Sequence, residues 1–323
     1  MSNQSQQFPI ISIITPSYNQ GEFLAETIES VISQAGDFAI EYIIMDGGST
    51  DNSVEIITKY AKRIREGKGP VYCQSITFHW SSNTDKGQTD ALAKGFDKAS
   101  GDVFAWLNSD DTYLPGALQR VTDYFQAHPE VDMLYGDAQY IDAEGRVISQ
   151  YGTEEFDILR LASANIICQS ATFFRSKAFR AVGGLNEKLN FVMDYDLWIR
   201  LGKRFICTHF PELLATYRLH ESSKTINSDY LIHNSDESLS VTIHHFGWAP
   251  LTRVFTSCSI RTQTRLPAFI AQRPFLSLLA TIGYTIARSF ILNRGAHRND
   301  VRLLTWRNFR KLLKKRLEIM TGH

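Results

Sequence analysis

"IISIITPSYNQGEFLAETIESVISQAGDFAIEYIIMDGGSTD", residues 10–51, decides the fold. Ile10 to Ile14 is a compact β-branched run, and such residues favour a buried, pleated surface. A polar loop, "TPSYNQGE", follows. From Phe23 to Ser33 the apolar positions Leu24, Ile28, Val31 and Ile32 fall at helical spacing. "IEYIIMD" (40–46) reads as a second strand and ends in an acid. "GGSTDNS" then leads into a helix from about Val54 to Arg65. Strand, helix, strand, helix at this spacing predicts βαβ units and a parallel sheet.

The rhythm continues outward. "VYCQSI" (71–76) is the expected third strand, and "DKGQTDALAKGFDKA" (85–99) is a loop running into a helix. "DVFAWLN" (102–108) is a fourth strand, and Pro115 opens another helix. Polar clusters sit at the carboxyl ends of strands one, two and four: "TPSYN", "DGGSTD" and "NSDD". Ligands of open α/β sheets bind at that end. From Val131 the pattern is mixed. "MLYGDAQYIDAEGRVISQY" predicts a hairpin around Glu144-Gly145, "ICQSATFFRS" a strand, and "SKAFRAVGG" a short helix closed by glycines. "MDYDLWIRLGKR" predicts a helix, and "FICTHFPELLATYRLH" extended segments around Pro211. Beyond about Ser228 the expectation is helical.

Thirty-four basic residues balance 34 acidic ones, but unevenly. From Arg253 to His323 there are 14 Lys+Arg against two acids, Asp300 and Glu318. The tail is therefore strongly basic and the body acidic. The four cysteines form no CxxC pair, so they read as reduced thiols of a cytosolic protein, not a disulfide framework. The start, MSNQSQQ, lacks the basic and apolar regions of a signal peptide. Pro274 to Ala287 is the longest charge-free, mostly apolar stretch, and Arg288 ends it short of a membrane span.

Several residues could carry chemistry. Asp110 and Asp111 end a strand in adjacent like charges, and a hard divalent cation is often held by one or two carboxylates plus substrate phosphates. An Asp-rich turn is the ordinary alternative. Asp46 could accept hydrogen bonds from a base edge, and Gly47 and Gly48 let backbone approach a ligand. Ser49, Thr50 and Asp51 look like helix-capping material. Tyr18 either packs on a nucleobase or plugs its loop. Asp85, Lys86 and Gly87 precede a helix N-terminus, which suits an anion.

"ITPSYN", "IIMDGGSTD", "DKGQTDALAKGF", "WLNSDD", "GGLNEKLNFVMDYDLWIRL" and "YRLHESS" together resemble the family-2 glycosyltransferases, in the family's order. They are most similar to bacterial members that assemble O-antigen and other surface polysaccharides. The likeness runs from Ile10 to about Lys224. It implies an α/β GT-A fold: a Rossmann-like, mostly parallel central sheet flanked by helices, with a helical basic C-terminal extension. The implied organisation is a transferase domain over 1–225 (nucleotide-sugar half 1–115, acceptor half 116–225) and an extension over 226–323. Thr15, Pro16, Tyr18 and Asp46 match nucleoside-binding positions, and Asp85 and Lys86 match donor-side positions. Asp111 matches the metal ligand, for Mn²⁺ or Mg²⁺, and Asp110 the residue facing the donor ribose or sugar. Asp194 matches the catalytic base, and His220 a late histidine near the metal or diphosphate.

The implied activity is inverting, metal-dependent transfer from a nucleoside-diphosphate sugar to a hydroxyl of a lipid-linked glycan acceptor. Two features depart from the family. The usual Glu-Asp reads Met193-Asp194, with Asp196 near enough to compete, and the QxxRW motif of processive synthases is missing. A sugar-1-phosphate nucleotidyltransferase would need a Gly-rich basic loop where "TPSYNQGE" stands. A silent nucleotide-sugar-binding partner subunit would not need all the acids. The tail reads as a peripheral attachment to the inner, anionic membrane face or as a cap on the acidic body. Nothing in the body resembles a nucleic-acid fold.

Overall fold

Eight residues, Ile10–Ser17, form strand β1, buried along nearly all its length, as its unbroken apolar run requires. The computed structural model describes residues 8–68, 71–221, 228–265 and 273–294. β1 pairs in parallel with β2 (Ala39–Asp46) and with β4 (Val103–Trp106), and β2 pairs in parallel with β3 (Ser75–Ser82). Helices α1 (Leu24–Ile32), α2 (Ser53–Arg65) and α3 (Gln88–Lys98) connect them. After α4 (Ala117–Ala127) the sheet continues with β5 (Met133–Ile141), β6 (Val147–Gln150) and β7 (Thr172–Arg175). Then follow α6 (Ser176–Ala181), α7 (Met193–Gly202) and β8 (Cys207–Arg218). The sheet order is β3-β2-β1-β4-β7-β5-β6, with β8 beside β5. The order reverses between β1 and β4, which opens a crevice at their carboxyl ends.

Two apolar layers sandwich the sheet. Ile11, Ile13, Ile40, Tyr42, Ile44 and Val103 join the inner faces of α1 and α4 in one cluster. On the other face, aromatic rings from α3, β4, β7, α6 and α7 pack together, among them Phe96, Phe104, Phe174, Phe179 and Trp198. Such ring pairs add about 0.5–1.5 kcal/mol each beyond the area they bury.

The predicted parallel βα pattern is present, and so is the hairpin, whose strands β5 and β6 are antiparallel. Two strand expectations shift. The third strand starts at Ser75, because Val71 and Tyr72 are exposed while Ile76 and Phe78 pack inward on alternate positions. The first half of "ICQSATFFRS" is a 3₁₀ turn, Gln169–Ala171. There the Gln169 amide donates to Trp106 O and the Ser170 hydroxyl to Thr216 O, bonds that compete with a strand ladder.

The chain divides into two units, 1–156 with 166–220, and 157–165 with 221–323. The second gathers a short helix, α5 (Ile158–Ser163), with α8 (Ser228–Phe246), α9 (Leu251–Arg265) and α10 (Pro274–Asn293). Nothing in the local pattern of residues 157–165 marks them as belonging with the C-terminal helices. Arg253 explains it: its guanidinium donates to the Leu161 and Ala162 carbonyls that close α5. Leu239, Ala249, Val254 and Cys258 form this unit's own small core. The helix predicted around residue 275 runs through Arg288, whose charge is taken up by Asp236 and Ser257. In the sequence Trp306, Phe309, Leu313, Leu317 and Met320 fall into an apolar stripe beside Arg and Lys, and they lie outside the described residues.

Candidate active site

β8 builds the site by running along the loop that follows β4. Thr216 N donates to Thr112 O, the two threonine hydroxyls meet at 2.7 Å, and Leu114 N donates to Leu214 O. This pairing carries Arg218 and His220 to the acidic end of β4. His220 Nε2 lies 3.0 Å from Asp110 Oδ2 and packs on the Phe23 ring at 4.6 Å. Arg218 N donates to Asp111 Oδ1 at 2.9 Å.

The Arg218 side chain is sealed from water and spans four elements. Its Nε donates to Asp110 O, one terminal nitrogen to the Asp142 and Ala143 carbonyls, and the other to Glu26 on α1 at 2.5 Å. Its guanidinium stacks over Phe23 at 5.0 Å. Arg218 and Glu26 were not singled out from sequence. The signal was the Arg inside "YRLH", but only the folded chain shows it turned inward.

Asp111 is 1% exposed and Asp110 lies beside it. Burial first, then the Asp110 charge, push the Asp111 carboxyl well above the usual carboxylate range, against the hydrogen bonds from Arg218 and Asn108. Asp110, by contrast, keeps part of its carboxylate exposed next to an imidazole. A second polar chain locks the loop: Gln88 donates to Asn108, Asn108 to Gln169, and Gln169 to Trp106 O.

The ends of β1 and β2 carry the other predicted residues. Thr15 is fully buried and its hydroxyl is shared with Tyr42, while Pro16 is also buried. Tyr18 is 61% exposed, so it does not plug its loop. The buried Asp46 carboxylate accepts four hydrogen bonds, from Gly48 N, Ser49 N and the Ser49 and Ser82 hydroxyls. A Cβ on Gly47 would come within 2.8 Å of Asp85 Oδ2, and Gly48 has φ +84°, so the two glycines let this turn close against the Asp85 loop. Asp85 in turn accepts from Gly87 N at the start of α3, and Lys86 is exposed.

Asp194 is the second residue of α7 and is partly exposed. One turn on, Trp198 stacks on Trp106 at 5.7 Å and fixes α7 against the end of β4. Asp196 is buried and held by Arg200 Nε at 2.8 Å. No group of three or more His, Cys, Asp or Glu with metal-site geometry occurs among the described residues. All four cysteines are unpaired thiols, as expected.

The sequence profile of Glycosyl transferase family 2 matches residues 12–183. The chain belongs to this family. It is a glycosyltransferase, moving sugar from a nucleotide-sugar donor. A PGL/p-HBAD biosynthesis glycosyltransferase of Mycobacterium bovis is 31% identical over 211 residues, 65% of this chain and 73% of that one. The fold resembles S. aureus TarS 1-349 in complex with UDP-GlcNAc, with TM-score 0.57, 15% identity, and 97% and 92% of the two chains covered. It also resembles the mannosyltransferase PcManGT of Pyrobaculum calidifontis in complex with GDP-Man and Mn²⁺, with TM-score 0.55, 12% identity, and 90% and 88% covered. This family-2 glycosyltransferase thus has the mostly parallel GT-A-type sheet, with its polar loops gathered at one end of it.

Proposed function

We propose that this glycosyltransferase is inverting, non-processive and metal-dependent, with residues 1–225 as its transferase domain and a lipid-linked glycan as acceptor in surface-polysaccharide or O-antigen synthesis. The observation that carries the reading is the meeting of Asp110 with His220, 110 residues apart in sequence, at the open end of β4. Asp110 and His220 would together hold a divalent cation such as Mn²⁺, offering it one oxygen and one nitrogen donor. The bound ion would supply charge stabilisation to the departing diphosphate.

The chain's own groups do the rest. Tyr18 offers an exposed ring to the nucleobase, and the buried end of β1 at Thr15 and Pro16 supports it. Asp46 reaches a base N–H by trading away a serine hydroxyl, since hydroxyls rotate freely. Lys86, beside the N-terminus of α3, faces the anionic part of the donor, and Asp85 holds that loop against Gly47. Asp111, held by Arg218, fixes the loop from which Asp110 projects. Asp194 takes the proton from the acceptor hydroxyl as that oxygen attacks the anomeric carbon opposite the diphosphate, so a single displacement inverts the configuration. The basic stretch 253–323 favours a cytoplasmic enzyme resting on the anionic inner membrane face, where a lipid-linked acceptor resides.

The test is Asp194→Asn with a panel of nucleoside-diphosphate sugars. Transfer should fall by about 10²–10⁴-fold, the usual worth of a positioned general base, while donor binding by thermal shift persists. Surviving transfer would show that the base is another residue.

A further inference from the structure

Helix α10 is packed inside out for a helix in water. Its small hydroxyl residues are the buried ones: Ser277, Thr281 and Thr285 lie four apart and are at most 3% exposed. Thr281 meets the Thr262 hydroxyl of α9 at 2.8 Å, and Arg288 reaches Ser257 of α9 and Asp236 of α8. The large apolar side chains point away, Phe275, Ile286, Phe290 and Ile291 each being more than 60% exposed and Leu279 half exposed. A soluble helix buries its apolar stripe and wets its polar one. This outward face carries no charge between Arg273 and Arg294, while Arg288 is turned inward to its partners.

We propose that α10 lies in the plane of an anionic phospholipid bilayer, with Phe275, Leu279, Ile286 and Phe290 sunk among the acyl chains. Phe275–Asn293 is long and apolar enough to cross a membrane. Crossing is opposed by its partners, since α8 and α9 would take Asp236, Arg253 and Arg261 into hydrocarbon with it. Lying flat buries the apolar half and leaves the hydroxyl half on α9. Charge selects lipid over a second copy. Arg273 and Arg294 are exposed at the two ends of the helix, and residues 253–323 hold 14 basic against two acidic residues. Two copies of such a segment repel, whereas an anionic surface attracts each. The proposal draws on the membrane-side acceptor only for its purpose; its evidence is the packing of α10.

The experiment uses the full chain with phosphatidylcholine vesicles made with or without phosphatidylglycerol. Wild type should float with the mixed vesicles and much less with pure phosphatidylcholine. The double variant Ile286→Asp, Phe290→Asp should partition roughly 100-fold more weakly, since each large side chain withdrawn from lipid is worth about tenfold or more. Because both positions are exposed, its circular dichroism should match wild type. In Phe290→Trp, brominated acyl chains should quench the indole. Undiminished flotation of the double variant would overturn the proposal. So would an unquenched indole on floating protein, which would place attachment in residues 295–323. A dimer formed without lipid, with that indole buried, would assign the face to a second copy. Release of nucleoside diphosphate from donor, measured in parallel, keeps the two readings apart: flotation without any donor turnover would sink the transferase mechanism and leave this one standing.

Discussion

A buried guanidinium costs several kcal/mol to desolvate unless its donors are all met, and Arg218 meets that cost by tying the ends of β4 and β8 to Glu26. Arg218→Lys keeps the charge but loses the planar fork. Its kcat/KM should drop about 10–100-fold, the usual effect of a group that orients a ligand residue, with the Asp110–His220 pair loosened. An unchanged kcat/KM would show that the clamp serves stability alone. Glu41 is a second buried charge, far from the chemistry. Burial raises its pKa, but the hydrogen bonds from Ser12 and Ser100 outweigh this and leave it below the usual range. A depressed carboxyl stabilises the fold above its unfolded pKa, and that contribution fades as pH falls through the folded pKa. The melting-temperature gap between wild type and Glu41→Gln should therefore be widest near neutrality and shrink below about pH 4. A gap constant with pH would show that the hydrogen bonds owe nothing to the charge.

At the scale of elements, the catalytic reading depends on where α7 begins. Its N-terminal turn holds Asp194, and the stack of Trp198 on Trp106 sets that turn beside the end of β4. Trp198→Ala should destabilise the first unit by about 3–5 kcal/mol, as large-to-small core changes do. It should lower kcat more than it raises donor KM, because the donor loops of β1 and β2 are held separately. Denaturant melts and steady-state kinetics check both. Equal changes in the two constants would detach α7 from the proton transfer. β8 has a comparable role. Its irregular pairing with β5 around Pro211 is accommodated at Gly136, where a Cβ would come within 2.5 Å of Leu214. That irregularity sets the register in which Thr216, and then Arg218 and His220, reach the β4 loop.

For the whole molecule, the proposed chemistry needs one cation between two distant parts of the chain. Dialysis against a chelator should remove turnover, and Mn²⁺ should restore it. His220→Ala should raise the Mn²⁺ concentration needed by about 10–100-fold, with the fold intact by circular dichroism. Turnover unaffected by the chelator would take the ion out of the mechanism and leave Asp110 and His220 as a hydrogen-bonded pair.

Much of this was legible in sequence because it is local. The β-branched runs at Ile10 and Ile40, the helical spacing of Leu24, Ile28 and Val31, and polar clusters directly after strands all follow from neighbouring residues. They determined the parallel βα half, the end of the sheet that bears the site, and the acids that crowd there. Other outcomes depended on partners far along the chain. Asp110 faces His220, Asp111 is sealed behind Arg218, and Asp196 is occupied by Arg200. Composition cannot divide those roles, because equal carboxylates become unequal only through what encloses them. The same holds for α10, whose mostly apolar run was visible in sequence. That its hydroxyl side, not its apolar side, packs on α9 was decided by Thr262, Ser257 and Asp236 in the folded unit.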